Sequence, residues 1–158
     1  MRKNVLTILA LFVTVIAFSQ TKVGANVVYG TSSGLGLGVK ASFDVSEKFK
    51  ISPSVNYYFP EDIPGVSTTS MSFEADAHYF FELQDKFSLY PLAGLNVWYT
   101  SVSSSYAAFS ASSTNFGLNL GGGANYKLSD KLTGFSEIKL MVTQGSQVVF
   151  NAGVMYSL

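Results

Sequence analysis

A period-two alternation of apolar residues, repeated in stretches of about nine to fourteen residues between turn signals, constrains this chain more than any other feature. Leu35, Leu37, Val39, Ala41, Phe43 and Val45 alternate with Gly36, Gly38, Lys40, Ser42 and Asp44. The same pattern runs through 73–83, 116–128 and 150–158. Successive side chains of a strand point to opposite faces, so each stretch predicts a strand with one apolar and one polar face. Weaker alternation over 22–30, 49–59, 87–99 and 132–142 brings the expected number of strands to eight.

The connections alternate in kind. Ser46-Glu47-Lys48-Phe49, Gln84-Asp85-Lys86-Phe87 and Ser129-Asp130-Lys131-Leu132 are near-copies of one tight charged turn. The links between them, 31–33, 60–70, 101–115 and 143–147, are mostly longer. Short turns on one rim and longer loops on the other are how outer-membrane barrels are built, and such single-chain barrels have an even number of strands. The expected fold is therefore all-β, an eight-stranded antiparallel up-and-down transmembrane barrel, with both termini on the short-turn, periplasmic rim.

The first 19 residues stand apart from this pattern. Arg2 and Lys3 precede an apolar run over 5–18 that is broken only by Thr7 and Thr14, and Ala17-Phe18-Ser19 then supplies small residues before Gln20. That order reads as a secretory signal peptide over 1–19, and the run is short for a membrane-spanning helix. Removing 19 residues from 158 leaves 139, which suits one barrel domain over 20–158. Without Arg2 and Lys3, eight basic residues face ten acidic ones. This near balance gives no electrostatic reason to expect nucleic acid as a partner. Cysteine is absent, so an exported domain of this size must be held by its packing or by closure of its hydrogen-bonded sheet.

Alternation alone also fits a soluble exported β-barrel that turns its apolar face inward and binds a ligand. Three features favour lipid outside. The polar faces mix charge with many glycines, which a narrow lumen uses to fit large residues opposite small ones. Aromatics collect toward both ends of the apolar faces: Phe43, Phe49, Phe81, Phe87, Tyr126 and Tyr156 at one, Tyr29, Tyr57, Phe59, Phe73, Tyr99 and Phe116 at the other. These match headgroup-level girdles. Eleven residues over 35–45, at about 3.3 Å each and tilted about 45°, cross about 26 Å, close to the apolar band of such barrels. Pro53 and Pro91 fall on the lipid-facing parity of two strands. Each removes a ladder donor, so a bulge near the periplasmic rim is expected at each.

The interior parity collects Lys22, Lys40, Lys50, Lys127 and Lys139 with Asp44, Glu74, Asp76, Glu82 and Glu137. An eight-stranded barrel is only just wide enough for side chains. A closed ion-pair core of Lys40, Lys139, Glu74, Asp76 and Glu137, with Tyr58, Tyr90 and Trp98 filling the remaining width, is the expected arrangement. A gated pore for small solutes or ions is the alternative. His78 shares the interior face but has no second histidine or cysteine with which to build a metal or catalytic centre. Gly121-Gly122-Gly123 sits in a strand pattern and precedes no helix, so it is no phosphate loop. No enzyme and no cofactor are expected. The segment 101–115, with Ser101, Tyr106 and Phe109, is a candidate surface loop that would prolong its flanking strands as a projecting hairpin and bind an extracellular protein or surface.

The repeated turn, the glycine-alternating strand 115–128 and the terminal strand 150–158 resemble the small eight-stranded outer-membrane barrels. That superfamily contains the OmpA membrane domain, OmpX and the opacity-type barrels, and the likeness is nearest to the short barrel-domain proteins common in Bacteroidetes. The resemblance implies outer-membrane lipid and the barrel assembly machinery as partners, with an envelope-structural or surface-interaction role carried by the loops. The final residue is Leu158, with Tyr156 and Phe150 on its face, where such barrels often end in an aromatic.

Overall fold

A computed structural model describes residues 21–60, 66–104 and 109–158. They form nine strand segments: β1 Thr21–Gly30, β2 Gly34–Asp44, β3 Phe49–Tyr58, β4 Val66–Tyr79, β5 Phe81–Gln84, β6 Phe87–Ser104, β7 Phe109–Lys127, β8 Leu132–Val142 and β9 Gln147–Ser157. Every neighbouring pair is antiparallel, and the circuit closes because β1 pairs with both β2 and β9 while β4 pairs with both β3 and β6. The short β5 continues β4 along the same edge of β6 in the same register. The two make one stave interrupted at Phe80, and the barrel has eight staves. Closure leaves no free ladder edge at membrane depth, which hydrocarbon requires of any strand that crosses it.

Both prolines mark gaps in the ladder, not the bulges expected from the sequence. Pro91 stands opposite Tyr79 in the register that His78↔Leu92 and Phe81↔Leu89 define, and there β4 gives way to β5. Pro91 has no N–H to donate, so the ladder loses a rung at that point. On its other side Pro91 pairs with Gly122 in unbroken register. Around Pro53 the β2–β3 pairing stops at Lys40↔Ser54 and resumes at Phe43↔Ile51 in the same register. Among the described residues, the one irregularity in register lies between Glu82 and Gln84, at the tight turn itself.

The three similar turns are not identical. In two of them the serine closes the turn: the Ser46 hydroxyl accepts the Phe49 N–H at 3.1 Å, and the Ser129 hydroxyl accepts the Leu132 N–H at 3.1 Å. The third has Gln84 in that place. Gln84 pairs directly with Phe87 around a two-residue turn, and the bulge takes up the difference.

Side chains alternate strictly between inside and outside. Large apolar residues stand exposed around the belt, among them Val39, Leu95, Leu118, Leu120 and Ile138, each more than half exposed. Lys40, Asp76, Asn96, Asn119 and Lys139 are buried in the interior. This inverts the arrangement of a water-soluble barrel and is the one that places hydrocarbon outside.

The loop-side rim is uneven. β3 last pairs with β4 at Tyr58↔Ser70, and β8 last pairs with β7 at Val142↔Leu118. The β6–β7 ladder nevertheless continues to Ser104↔Phe109, and the β4–β6 ladder to Val66↔Ser104. Most of the segment 101–115 is therefore strand, not loop. With Val66 to Thr69 it forms a three-stranded sheet that projects beyond the other staves. Tyr106, residues 1–20 and residues 61–65 lie outside the described residues.

Candidate functional site

The interior is layered. Its middle is a polar network built from alternate residues of the facing staves. Lys139 on β8 pairs with Glu74 on β4 and, at 2.9 Å, with Asp76 of the same strand. Lys40 on β2 pairs with Glu137 on β8. In both cases the partners lie three staves apart around the barrel, so the bridges run through the lumen and not along its wall.

Neutral donors complete the coordination of each carboxylate. Asn119 donates to Asp76 at 2.8 Å and to Glu74 at 3.1 Å, and Asn96 donates to Asn119 at 2.7 Å. Asn56 and Ser72 donate to Glu74 at 2.9 and 2.7 Å, while Asn26 donates to Asn56 at 2.9 Å. On the other bridge, Tyr90 donates its hydroxyl to Glu137 at 2.9 Å, and His78 Nε2 stands 3.8 Å away. A buried charge is tolerated only when paired and hydrogen-bonded, and these five ions meet that condition.

An apolar layer lies on each side of the network. Toward the loop rim, Val28, Tyr58, Met141 and Val149 form a buried cluster with Trp98 packed against it, and the Tyr58 and Trp98 rings are 4.9 Å apart. Toward the short-turn rim, Phe80, Tyr90 and Leu92 form a second cluster. Tyr90 stacks on His78 at 4.6 Å and contacts Phe80 at 4.5 Å. Gly123 makes room for this ring, because a Cβ there would stand 2.6 Å from the Tyr90 phenol.

The structure thus brings Lys40, Lys139, Glu74, Asp76 and Glu137 into one network and sets Tyr58 and Trp98 at one end of the lumen, Tyr90 at the other. Glu82 does not join them. It is exposed and lines a cavity of about 800 Å³ at the short-turn mouth with Lys22, Asp44, Lys50 and Lys127. Within that mouth Lys50 pairs with Asp44 at 2.8 Å. Parity sets Asn26, Asn56, Asn96, Asn119 and Asn151 toward the lumen, but it did not show that asparagines there satisfy the carboxylates. Sequence reasoning missed Val28, Met141 and Val149, apolar residues on that same parity whose inward direction the alternation does encode. Among the described residues no three His, Asp, Glu or Cys side chains converge to hold a metal ion.

A closed antiparallel barrel with an apolar belt and an interior filled by its own polar side chains is an integral outer-membrane β-barrel. The chain belongs to the outer membrane protein beta-barrel domain family, whose model matches residues 10–157. Its fold is similar to that of Ail, the attachment invasion locus protein of Yersinia pestis, with a TM-score of 0.64 and 16% identity over 89% of this chain and 97% of that one. Neisserial surface protein A gives a TM-score of 0.68 and 17% identity, covering 87% of this chain and 96% of the other. The N-terminal barrel of Pseudomonas aeruginosa OprF gives 0.64 and 13%, over 89% and 99%. At these identities the likeness is one of fold. Among curated proteins, none matches the sequence significantly.

Proposed function

We propose that this chain is an envelope-structural barrel, closed to solutes, that holds a sheet of its own strands outside the membrane for contact with an extracellular protein. It is exported behind a leader of residues 1–19 that is removed before Gln20, and the barrel assembly machinery inserts the domain over 20–158. The tight charged turns and both ends of the domain face the periplasm, so the β6–β7 hairpin faces outward.

The observation that carries the closed reading is the pair of ionic bridges across the lumen, Lys139 to Glu74 and Asp76, and Lys40 to Glu137, held between two apolar layers. Water and ions would have to displace both. The contact surface is the edge of β7 from Phe109 to Gly117, which has no β8 partner. Nine residues at about 3.3 Å each offer about 30 Å of unpaired edge. Such an edge is a template for strand addition by a partner. The word attachment in the name of Ail accords with a surface-interaction role for this fold.

Liposome swelling tests the closed reading. Vesicles carrying the purified barrel should swell in isotonic arabinose no faster than protein-free vesicles, and rapid swelling would establish the pore alternative.

A further inference from the structure

The charged mouth at the short-turn rim lies outside the sealed part of the lumen. Two adjoining cavities open there, of about 490 and 800 Å³, and Lys22 and Lys127 line both. The buried Phe80 ring closes the larger one toward the lumen. Volumes of this size suit a small ligand.

Lys22 is the second residue of β1. Its half-buried side chain leans across β9 to β8, where the ammonium donates to the Thr133 hydroxyl at 3.3 Å. Thr133 is buried and stands directly opposite Lys127 in the β7–β8 ladder, so the Cβ atoms of these two residues are about 5 Å apart. The fold thus gathers two cations around one hydroxyl. Among the described residues neither lysine has an ion-pair partner. Lys50, the third cation of the mouth, is already held by Asp44 at 2.8 Å. The charges that act on Lys22 are those of Lys50, Asp44 and Lys127, two cations against one acid. Glu47, Glu82, Asp85 and Asp130 also line the mouth, but they are exposed on the rim, where water and salt screen them.

Like charges brought together are destabilising, and an anion between them removes that cost. Lys22 occupies one lone pair of the Thr133 oxygen, which leaves the hydroxyl proton free to donate. Two ammoniums and a hydroxyl therefore converge from three staves. Planar carboxylates are matched best by the guanidinium fork, and no arginine occurs within 20–158. Separate point donors suit the oxygens of a tetrahedral phosphate.

We propose that this mouth binds a phosphate group between the Lys22 and Lys127 ammoniums, with the Thr133 hydroxyl as third donor. A soluble phosphate ester and the headgroup of a phospholipid at the rim present the same chemistry. The site depends on neither the closed lumen nor the orientation of the barrel.

Calorimetric titration of the whole folded barrel in maltoside micelles with glycerol 3-phosphate tests the proposal. Binding should saturate at one site and shift the amide resonances of Lys127 and Thr133, a readout that needs no substitution. Lys22→Met and Lys127→Met should each weaken binding about tenfold or more, the loss of one charged hydrogen bond. Both variants shed an unpaired charge and should fold as well as the wild type. Lys131→Met removes the same charge from a lysine that lies over the Tyr156 ring, and it should leave binding unchanged. Succinate, with the same charge as the ester, should bind more weakly. In nanodiscs of phosphatidylcholine, whose surface carries no net charge, undiminished binding assigns the site to soluble esters. Binding lost there but present in maltoside assigns it to lipid headgroups. No saturable binding in maltoside, equal weakening by all three lysine substitutions, or equal affinity for succinate would overturn the proposal.

Discussion

Lys139 reaches from β8 through the lumen to Glu74 on β4, three staves away, and both side chains are fully removed from solvent. Asp76 takes a second hydrogen bond from the same ammonium at 2.9 Å. A lysine so placed fixes the distance between opposite walls. Removing Glu74 takes one of the two carboxylates from Lys139 and strands the donors Asn56, Ser72 and Asn119. Glu74→Ala should therefore destabilise the barrel by about 3 kcal/mol, near the lower end for a broken buried pair because Asp76 remains. Urea unfolding in lipid vesicles, followed by Trp98 emission, measures this; a loss below about 1 kcal/mol would mean that Lys139 does not depend on Glu74.

The apolar belt makes a separate prediction. Leu120 is 54% exposed toward lipid, while its neighbour Asn119 is wholly buried in the polar network. Arginine at a lipid-facing midplane position costs about 2 to 4 kcal/mol. Leu120→Arg should lose that much folding free energy and Leu120→Phe almost none. A fluorophore on Leu120→Cys should be quenched by brominated lipid. Protection from the quencher would contradict the outward assignment.

Gly123 and Gly145 form a contrasting pair. A Cβ at Gly123 would meet the Tyr90 ring at 2.6 Å and the Ser136 carbonyl at 2.7 Å, whereas nothing lies within 4 Å at Gly145. Gly123→Ala should cost about 1 to 3 kcal/mol, the usual range for overpacking, and Gly145→Ala should be neutral. Heat-modifiable mobility on gels and unfolding midpoints would show whether the two differ.

The serine turns give a smaller effect. Ser46→Ala and Ser129→Ala each remove an exposed hydroxyl that accepts a backbone N–H. Each should cost about 0.5 kcal/mol, the low end for a net hydrogen bond. The third turn closes without a serine, so Gln84→Ala should cost less. Equal losses at all three would show that the hydroxyls are incidental.

Strand count and facing were legible in the sequence, because period-two alternation and turn chemistry are local. Lys40 and Lys139 sat on the polar parity, and a narrow lumen left their charges no partners except the acids on the same parity. Which acid each would meet was not legible. The pairing of Lys139 with Glu74, and of Lys40 with Glu137, depends on shear between staves, which alternation does not encode. The projecting hairpin over 101–115 was anticipated, but the Pro91 gap and the third strand that Val66 to Thr69 add beside it were not, for a related reason. Ser, Thr and Ala in 101–115 carry weak facing signals, and the cross-strand partners in Val66 to Thr69 hold that segment as strand. Glu82 shares the interior parity, yet it lies beyond the Phe80 layer, so parity alone overstated its depth.

Single-channel recording in planar bilayers tests most directly whether the lumen is sealed by its own side chains. The wild-type barrel should show no steady conductance at either polarity. Lys40→Ala, which strips Glu137 of its ammonium partner, should bring leak or flickering current. Large, stable currents from the wild-type protein would contradict the account and make the barrel a pore.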